Sequence, residues 1–316
     1  MSHLALGIDV GTSGVRVAAI DQDERIVAMA EAGMPAAPRV GARVTQDPAQ
    51  WVDALEKAMA QLAGTIDLTR VKALAVDGTS GTLVAVDRAG RPVAAGSLYN
   101  DRADDAAIAA VGRVAPAQSA AHGATSPLAR ATRLLQAERM VRILHQADWI
   151  AGQFSGRFDV SDENNALKTG YDPIARAWPD WIAAAGVGPE FLPEVVPAGA
   201  ITGVVSAQGA VRFGVPADTI VVAGTTDGCA AFLATGADRP GEAVTSLGST
   251  LVLKLASSRP LFAPEYGLYS HRVGDLWLAG GASNSGGAAL ARFFTAEAIR
   301  DISGRIDPER PTGLDY

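Results

Sequence analysis

Four short segments, one of them a pair of turns, combine residue types whose chemistry is specific. Asp9-Val10-Gly11-Thr12-Ser13-Gly14 puts a carboxylate at the end of an apolar run and two hydroxyls in a glycine-flanked turn. Successive backbone N–H groups in such a turn, with the Thr12 and Ser13 hydroxyls, suit phosphate oxygens, and glycine lets a phosphate come close to the backbone. Asp9 is placed to hold Mg2+ through water, since that ion favours carboxylates and keeps much of its hydration shell. The spacing is neither G-x-G-x-x-G nor G-K-[ST]. An ordinary hairpin turn would use the same glycines and hydroxyls for backbone reasons.

Gly224-Thr225-Thr226-Asp227-Gly228 stands between an apolar run and a helical pattern. Asp227 would then project from the start of a helix at the C-terminal edge of a strand, where α/β sheets bind ligands. A carboxylate there can take the proton of an attacking hydroxyl, the base role in phosphoryl transfer to alcohols. The alternative is a plain helix cap. Gly248-Ser249-Thr250, between two predicted strands, is a second candidate phosphate turn. Asp77-Gly78-Thr79-Ser80-Gly81-Thr82 and Tyr99-Asn100-Asp101-Arg102 both follow strands and carry short polar groups suited to sugar-hydroxyl recognition. Solvated turns have the same composition.

The elements that must position these residues follow from periodicity. Short apolar runs at 4–9, 15–20 and 26–30, separated by Gly- or Asp-rich turns, predict a β-meander. Asp47-Pro48 opens a helix whose Trp51, Leu55, Met59 and Leu62 recur on one face. Strands are predicted at 71–76 and 83–87. From 101 to 185 the pattern is mostly helical, most clearly at 129–139 and 141–154. A strand at 220–223 leads directly into a helix at 226–234. Strands follow at 243–247, 251–255, 268–272 and 275–278, and a Gly-rich turn at 280–284 opens a helix through 294. The Pro/Gly-rich stretch 236–241 is the expected boundary between domains 1–237 and 241–316. Residues 7–16 and 245–254 echo one another as strand, hydroxyl turn, strand, which suggests two related halves.

Composition narrows the function. The 316 residues carry 27 basic and 34 acidic side chains, for a formal net charge of −7. No run of basic residues occurs, so a nucleic-acid or anionic-membrane surface is not expected. Only four lysines are present, Lys57, Lys72, Lys168 and Lys254, the remaining basic residues being arginine. The single cysteine, Cys229, excludes a disulfide framework and a multi-thiolate metal site. No apolar stretch is long enough to span a bilayer. The first residues lack a charged region and cleavage site, so a cytoplasmic, two-domain α/β protein is expected.

In order, GIDVGTSGVR (7–16), VDGTSGTLVAVD (76–87), YNDRA (99–103), SDENNALKTGYD (161–172), AGTTDGCAAF (223–232), SLGST (246–250) and GGASNSGG (280–287) resemble the FGGY carbohydrate kinases. The resemblance covers essentially the whole chain, and DGTSGT and NNALKTGYD look like the short D-ribulose/xylulose-kinase branch. It implies an actin-like ATPase (ribonuclease H-like) fold, two domains around a cleft with the second incomplete. It implies that Asp9 is the Mg2+-associated aspartate, with Gly11, Thr12 and Ser13 as the first phosphate turn. Gly248, Ser249 and Thr250 would be the second, with Ser249 where threonine is more usual. Asp227 would be the catalytic base, and Thr79, Ser80, Asp101 and Arg102 would contact the sugar together with Asp227. Tyr99 stands where many relatives carry tryptophan, Asn165 falls in a segment bordering the sugar cleft, and Arg16 reads as a structural partner. The implied reaction moves the γ-phosphoryl of MgATP to the terminal hydroxyl of a ketopentose, D-ribulose first or D-xylulose. Two further readings stand beside it. One is a C-terminally truncated sugar-binding homologue, because no Gly-rich adenosine motif follows Gly287. The other is an actin- or Hsp70-like ATPase acting on a protein partner, against which the sugar-site matches at 79–80 and 101–102 stand.

Overall fold

The computed structural model describes residues 3–247, 251–283, 286–307 and 310. The chain opens with β1 (Leu4–Val10), β2 (Gly14–Ile20) and β3 (Ile26–Gly33), an antiparallel meander as the turn spacing predicts. Short strands β4 (Arg39–Val40) and β5 (Arg43–Gln46) lead into α1 (Pro48–Ala63). The Asp47 side chain accepts from the Ala49 N–H, and Pro48 takes the first helical position, where its missing N–H costs nothing. Trp51, Leu55, Met59 and Leu62 all lie on the buried face of α1. Next come β6 (Val71–Gly78), β7 (Leu83–Val86) and β8 (Gly96–Ser97).

The middle of the chain holds α2 (Asp105–Val114), α3 (Pro127–Leu134), β9 (Arg142–His145), α4 (Gln146–Ser155), β10 (Val160–Asp162), α5 (Glu163–Leu167), α6 (Trp181–Ala184), β11 (Glu194–Val196), β12 (Ile201–Val204) and α7 (Ala207–Phe213). The helix predicted over 141–154 is therefore two elements. Residues 142–145 pair antiparallel with β7, from Leu83 opposite His145 to Val86 opposite Arg142. An available sheet edge outweighs local helical periodicity there, and the helix begins only after His145. The helix predicted over 129–139 ends at Leu134.

β13 (Ile220–Thr226) runs directly into α8 (Asp227–Leu233). Residues 236–241 then connect to β14 (Ala243–Leu247), β15 (Leu251–Ser257), β16 (Tyr269–Val273) and β17 (Leu276–Ser283), followed by α9 (Gly287–Leu290) and α10 (Ala296–Ser303). Gly280 and Gly281, expected in a turn, lie inside β17, where they pair with Lys254 and Leu253. Gly248, Ser249 and Thr250 lie outside the described residues, as does Asn284.

Six strands form the main sheet in the order β12-β13-β6-β1-β2-β3, with β13, β6 and β1 mutually parallel. Its core is deep: Ile8, Val17, Trp51, Leu55, Leu74, Val76, Ile150 and Phe154 are almost completely buried. Trp51 packs edge-on against Trp149 with ring centroids 5.9 Å apart, and its indole N–H donates to Gln46 Oε1 at 2.8 Å. A second sheet, β4-β5-β8-β7-β9, carries the helices of the middle segment, and β10 pairs with β11. The order in the last sheet is β14-β15-β17-β16.

Candidate active site

Three parallel strands set the site. Asp9 near the end of β1 stands opposite Asp77 of β6, and Asp77 stands opposite Thr225 of β13, two residues before Asp227. Strand ends in register thus deliver three carboxylates, far apart in sequence, to one sheet edge. Gly224 makes the approach of β13 possible. A Cβ there would sit 1.7 Å from the Val76 carbonyl oxygen, and the β13–β6 register shifts between Val222 and Thr225.

The carboxylates differ in their surroundings. Asp9 Oδ2 accepts from Arg16 Nη1 at 2.6 Å, which makes Arg16 its structural partner. Asp77 is pushed up to about 8, first by desolvation, then by the neighbouring Asp9 charge and a hydrogen bond with Asp9, with Asp227 adding to the repulsion. Asp227 opens onto the cleft, yet the protein crowded about its carboxyl group raises its pKa. The Gly228 N–H at 2.7 Å, the Lys168 charge and the Ser80 N–H oppose that shift. A carboxylate held this way remains an acceptor with a raised basicity, the property a general base needs.

Asp9, Gly11, Thr12, Ser13, Thr79 and Asp227 line one open cleft of about 490 Å3. Its other wall comes from β14 and β15, through Val244, Ser246, Val252 and Lys254. The first turn is closed by Gly11 N–H donating to Gly14 O at 3.0 Å, which leaves the Thr12 and Ser13 side chains exposed toward solvent. The second candidate turn, Gly248, Ser249 and Thr250, falls outside the described residues.

The residues expected at a sugar separate into two pairs. Thr79 is buried, with its hydroxyl donating to Gln146 Oε1 at 2.8 Å and 2.6 Å from the Thr82 hydroxyl. Ser80 follows it, its N–H on Asp227 and its buried Oγ with no hydrogen-bond partner among the described residues. Both stand beside Asp227. Asp101 and Arg102 do not share the cleft lining. Asp101 is fully buried and accepts from the Val44 N–H, from Ser97 Oγ at 2.7 Å and from Arg133. Arg102 is largely exposed and pairs with Asp105. Tyr99, at the cleft, is exposed.

Several residues at the site escaped the sequence reading. Asp77 was legible only as part of a polar turn, yet a carboxylate ending an apolar strand beside another such strand was the available signal. Asn164 clamps the two halves together. Its amide donates to Thr225 Oγ1 at 3.0 Å and to Arg272 O at 2.8 Å, and its Oδ1 accepts from Arg272 N at 3.0 Å. Its neighbour Asn165 donates to Thr225 O and to Asp162, whose carboxylate caps α5. The SDENNALKTGYD segment therefore joins β13 to β16 behind the cleft.

Comparison with known proteins agrees with this architecture. Residues 4–112 and 133–234 match the FGGY family of carbohydrate kinases, N-terminal domain. The xylulose kinase of Escherichia coli strain K12 is 27% identical over 285 residues, covering 86% of this chain and 58% of that protein. The xylulose kinase of Streptomyces rubiginosus is 30% identical over 275 residues, covering 81% and 55%. The chain thus spans less than two thirds of the length of these relatives. Among solved structures, xylulose kinase from Rhodospirillum rubrum superposes with a TM-score of 0.87 at 23% identity, covering 98% of this chain and 68% of that one. Gluconate kinase from Lactobacillus acidophilus gives 0.84 at 16% identity, covering 97% and 66%. With its fold that of the actin-like ATPases, this chain belongs to the FGGY family of carbohydrate kinases.

Proposed function

We propose that the chain is the sugar-binding, base-carrying part of an ATP-dependent kinase that phosphorylates the terminal hydroxyl of a pentulose. The observation that carries this reading is the convergence of Asp227, the hydroxyl turn at Gly11, Thr12 and Ser13, and the orphaned Ser80 hydroxyl around one cleft. The division into a sugar-binding domain, 1–237, and a partial nucleotide-binding one, 241–316, belongs to the same proposal.

In this mechanism Asp227 accepts a hydrogen bond from the terminal hydroxyl and takes its proton as the oxygen attacks phosphorus. Thr79 and Ser80 orient the sugar, with Ser80 Oγ supplying a donor or acceptor that no group among the described residues uses. The Gly11–Ser13 turn receives phosphate oxygens. Asp101 is spent on Val44, Ser97 and Arg133, so its part is to hold the wall behind the sugar. Little covalent work falls to the protein, and positioning supplies most of the acceleration.

The donor set fits Mg2+. Asp9 and Asp77 bring two carboxylates into contact, and Mg2+ is commonly held by one or two carboxylates, waters and phosphate oxygens. The ion would supply charge neutralisation for the phosphates.

The xylulose kinases among the relatives put D-xylulose beside D-ribulose as the first substrates to test. Thermal-shift assays with both pentuloses, followed by ADP release with MgATP, check the reading. Stabilisation by a pentulose and pentulose-dependent ADP release are expected. A panel of pentuloses that shifts nothing would sink the proposal.

A further inference from the structure

Lys254 occupies an unusual position in the cleft wall. It is 9% exposed and lines the same cleft as Asp227 and the Gly11–Ser13 turn. Buried ammonium groups are normally paired with a carboxylate, because an uncompensated charge is costly to desolvate. Arg16, more exposed in the same cleft lining, is paired with Asp9. Lys254 has no such pair. Its Nζ donates to Nδ1 of His271 at 2.9 Å, and among the described residues no carboxylate lies within ion-pair distance of it.

The chemistry of that contact fixes the imidazole. An ammonium has only donors, so Nδ1 must accept and the ring proton must sit on Nε2. His271 is buried, and burial together with the charges of Lys254 and Lys168 holds its pKa well below the usual histidine value, keeping the ring neutral. The pair therefore carries a net positive charge that its own partner does not cancel. His271 Nε2 has no partner among the described residues, an additional cost borne to hold this arrangement. The Lys254 stem runs over Gly280, its partner across β15 and β17, where a Cβ would meet the Leu253 carbonyl oxygen at 2.3 Å and the Lys254 Cδ at 2.8 Å. In a chain whose basic residues are mostly arginine, this position carries a compact point charge.

We propose that Lys254, oriented by His271, is the phosphoryl-binding cation of the cleft, a catalytic residue that deepens the kinase reading above and rests on it. With one N–H committed to His271, two remain for phosphate oxygens. As the sugar oxygen forms its bond to the γ-phosphorus, the bond from that phosphorus to the β–γ bridging oxygen breaks. The hydroxyl proton passes to Asp227, ADP departs with the bridging oxygen, and the lysine offsets the charge spread over the phosphoryl oxygens. His271 is a positioning residue.

The test uses magnesium tripolyphosphate as a nucleotide-free probe, titrated calorimetrically into the whole chain, with pentulose binding measured in parallel. Lys254→Met keeps the stem over Gly280 and removes the charge, and it should weaken tripolyphosphate binding by about tenfold or more while pentulose binding is retained. Lys254→Arg should restore part of the affinity, and it keeps the test alive if the methionine variant fails to fold. His271→Gln should weaken the probe without altering pentulose binding, a split that mere loss of packing would not produce. Tripolyphosphate binding that is absent from the wild type, or equal in wild type and Lys254→Met, overturns the inference. Lys254-dependent probe binding in a chain that ignores pentuloses would leave the inference standing and overturn the sugar-kinase reading instead.

Discussion

The two sheets that face each other across the cleft are built on different terms. The six-stranded sheet has a deep core centred on Trp51, Leu55, Leu74 and Phe154, on the face packed by α1 and α4. The four-stranded sheet has a core of Cys229, Phe232, Ala256 and Leu278, all on the side that meets α8. Its other face leaves Leu247, Leu253 and Leu255 exposed. Strand β15 shows the asymmetry residue by residue: Lys254 and Ala256 are buried toward α8 and the cleft, while Leu253 and Leu255 point away. The difference teaches where rigidity resides. Asp9, Asp77 and Asp227 are fixed by the deep sheet, whereas Lys254 rides on a thin one, tied to the first by α8 and by the Asn164 clamp. A cleft with one rigid and one lightly held wall is suited to closing on its ligand.

The largest expected effect tests the deep side. Trp51→Ala removes a fully buried indole together with its contact to Trp149 and its bond to Gln46, and should cost about 3–5 kcal/mol in denaturant unfolding. Leu253→Ala, at a side chain 52% exposed, should stay within about 0.5 kcal/mol. Comparable losses at the two positions would break the contrast.

Asn164→Ala should cost about 1–3 kcal/mol, because it strands the Arg272 N–H and carbonyl and the Thr225 hydroxyl at the junction. The sharper readout is hydrogen exchange. Amides of β16 should lose protection in this variant while those of β1 and β6 keep theirs. Uniform loss across both sheets would show that the clamp is not a local tie.

A pH series probes the carboxylates of the rigid wall. Folded Asp77, pushed up to about 8, keeps a proton that the unfolded chain sheds above its ordinary value of 3.8. Between those values the folded state binds more protons, so the contribution of Asp77 to stability is full below the unfolded value and is lost as pH rises through about 8. Asp162, pushed up to about 7 by burial and then by Asp148, adds a slope of the same sign in every variant. In chelator-treated buffer, the melting temperature of Asp77→Asn should therefore gain on the wild type from pH 5 to pH 8. A constant difference across that range would place the Asp77 carboxyl in an unperturbed environment.

The smallest effect belongs to the exposed face. Replacing Leu253 and Leu255 by serine should reduce binding of a hydrophobic dye with little change in melting temperature, as expected for a contiguous apolar surface outside a core.

What was legible in the sequence was what local pattern determines. The apolar spacing of Trp51, Leu55, Met59 and Leu62 predicted α1 and its buried face, and the Gly- and Asp-rich turns predicted the meander. The motif order predicted the family that residues 4–112 and 133–234 match. Long-range pairing hid the rest. Residues 142–145 have a helical neighbourhood but fill a sheet edge offered by β7. Asp77 acquires its significance from the register of β6 with β1, and Lys254 acquires its own from a histidine on another strand. Asp101 shows the converse. Its polar turn suggests a solvent-facing ligand group, yet donors from β5, β8 and α3 enclose it.

The central claim, that Asp227 meets the terminal hydroxyl of the sugar, can be tested without nucleotide. Binding of D-xylulose and of its 5-deoxy analogue would be compared by calorimetry in the wild type and in Asp227→Ala. A hydrogen bond to a charged group predicts that the wild type prefers the intact sugar by about tenfold or more and that the preference disappears in the variant. The same preference in both proteins, or none in the wild type, would contradict the account.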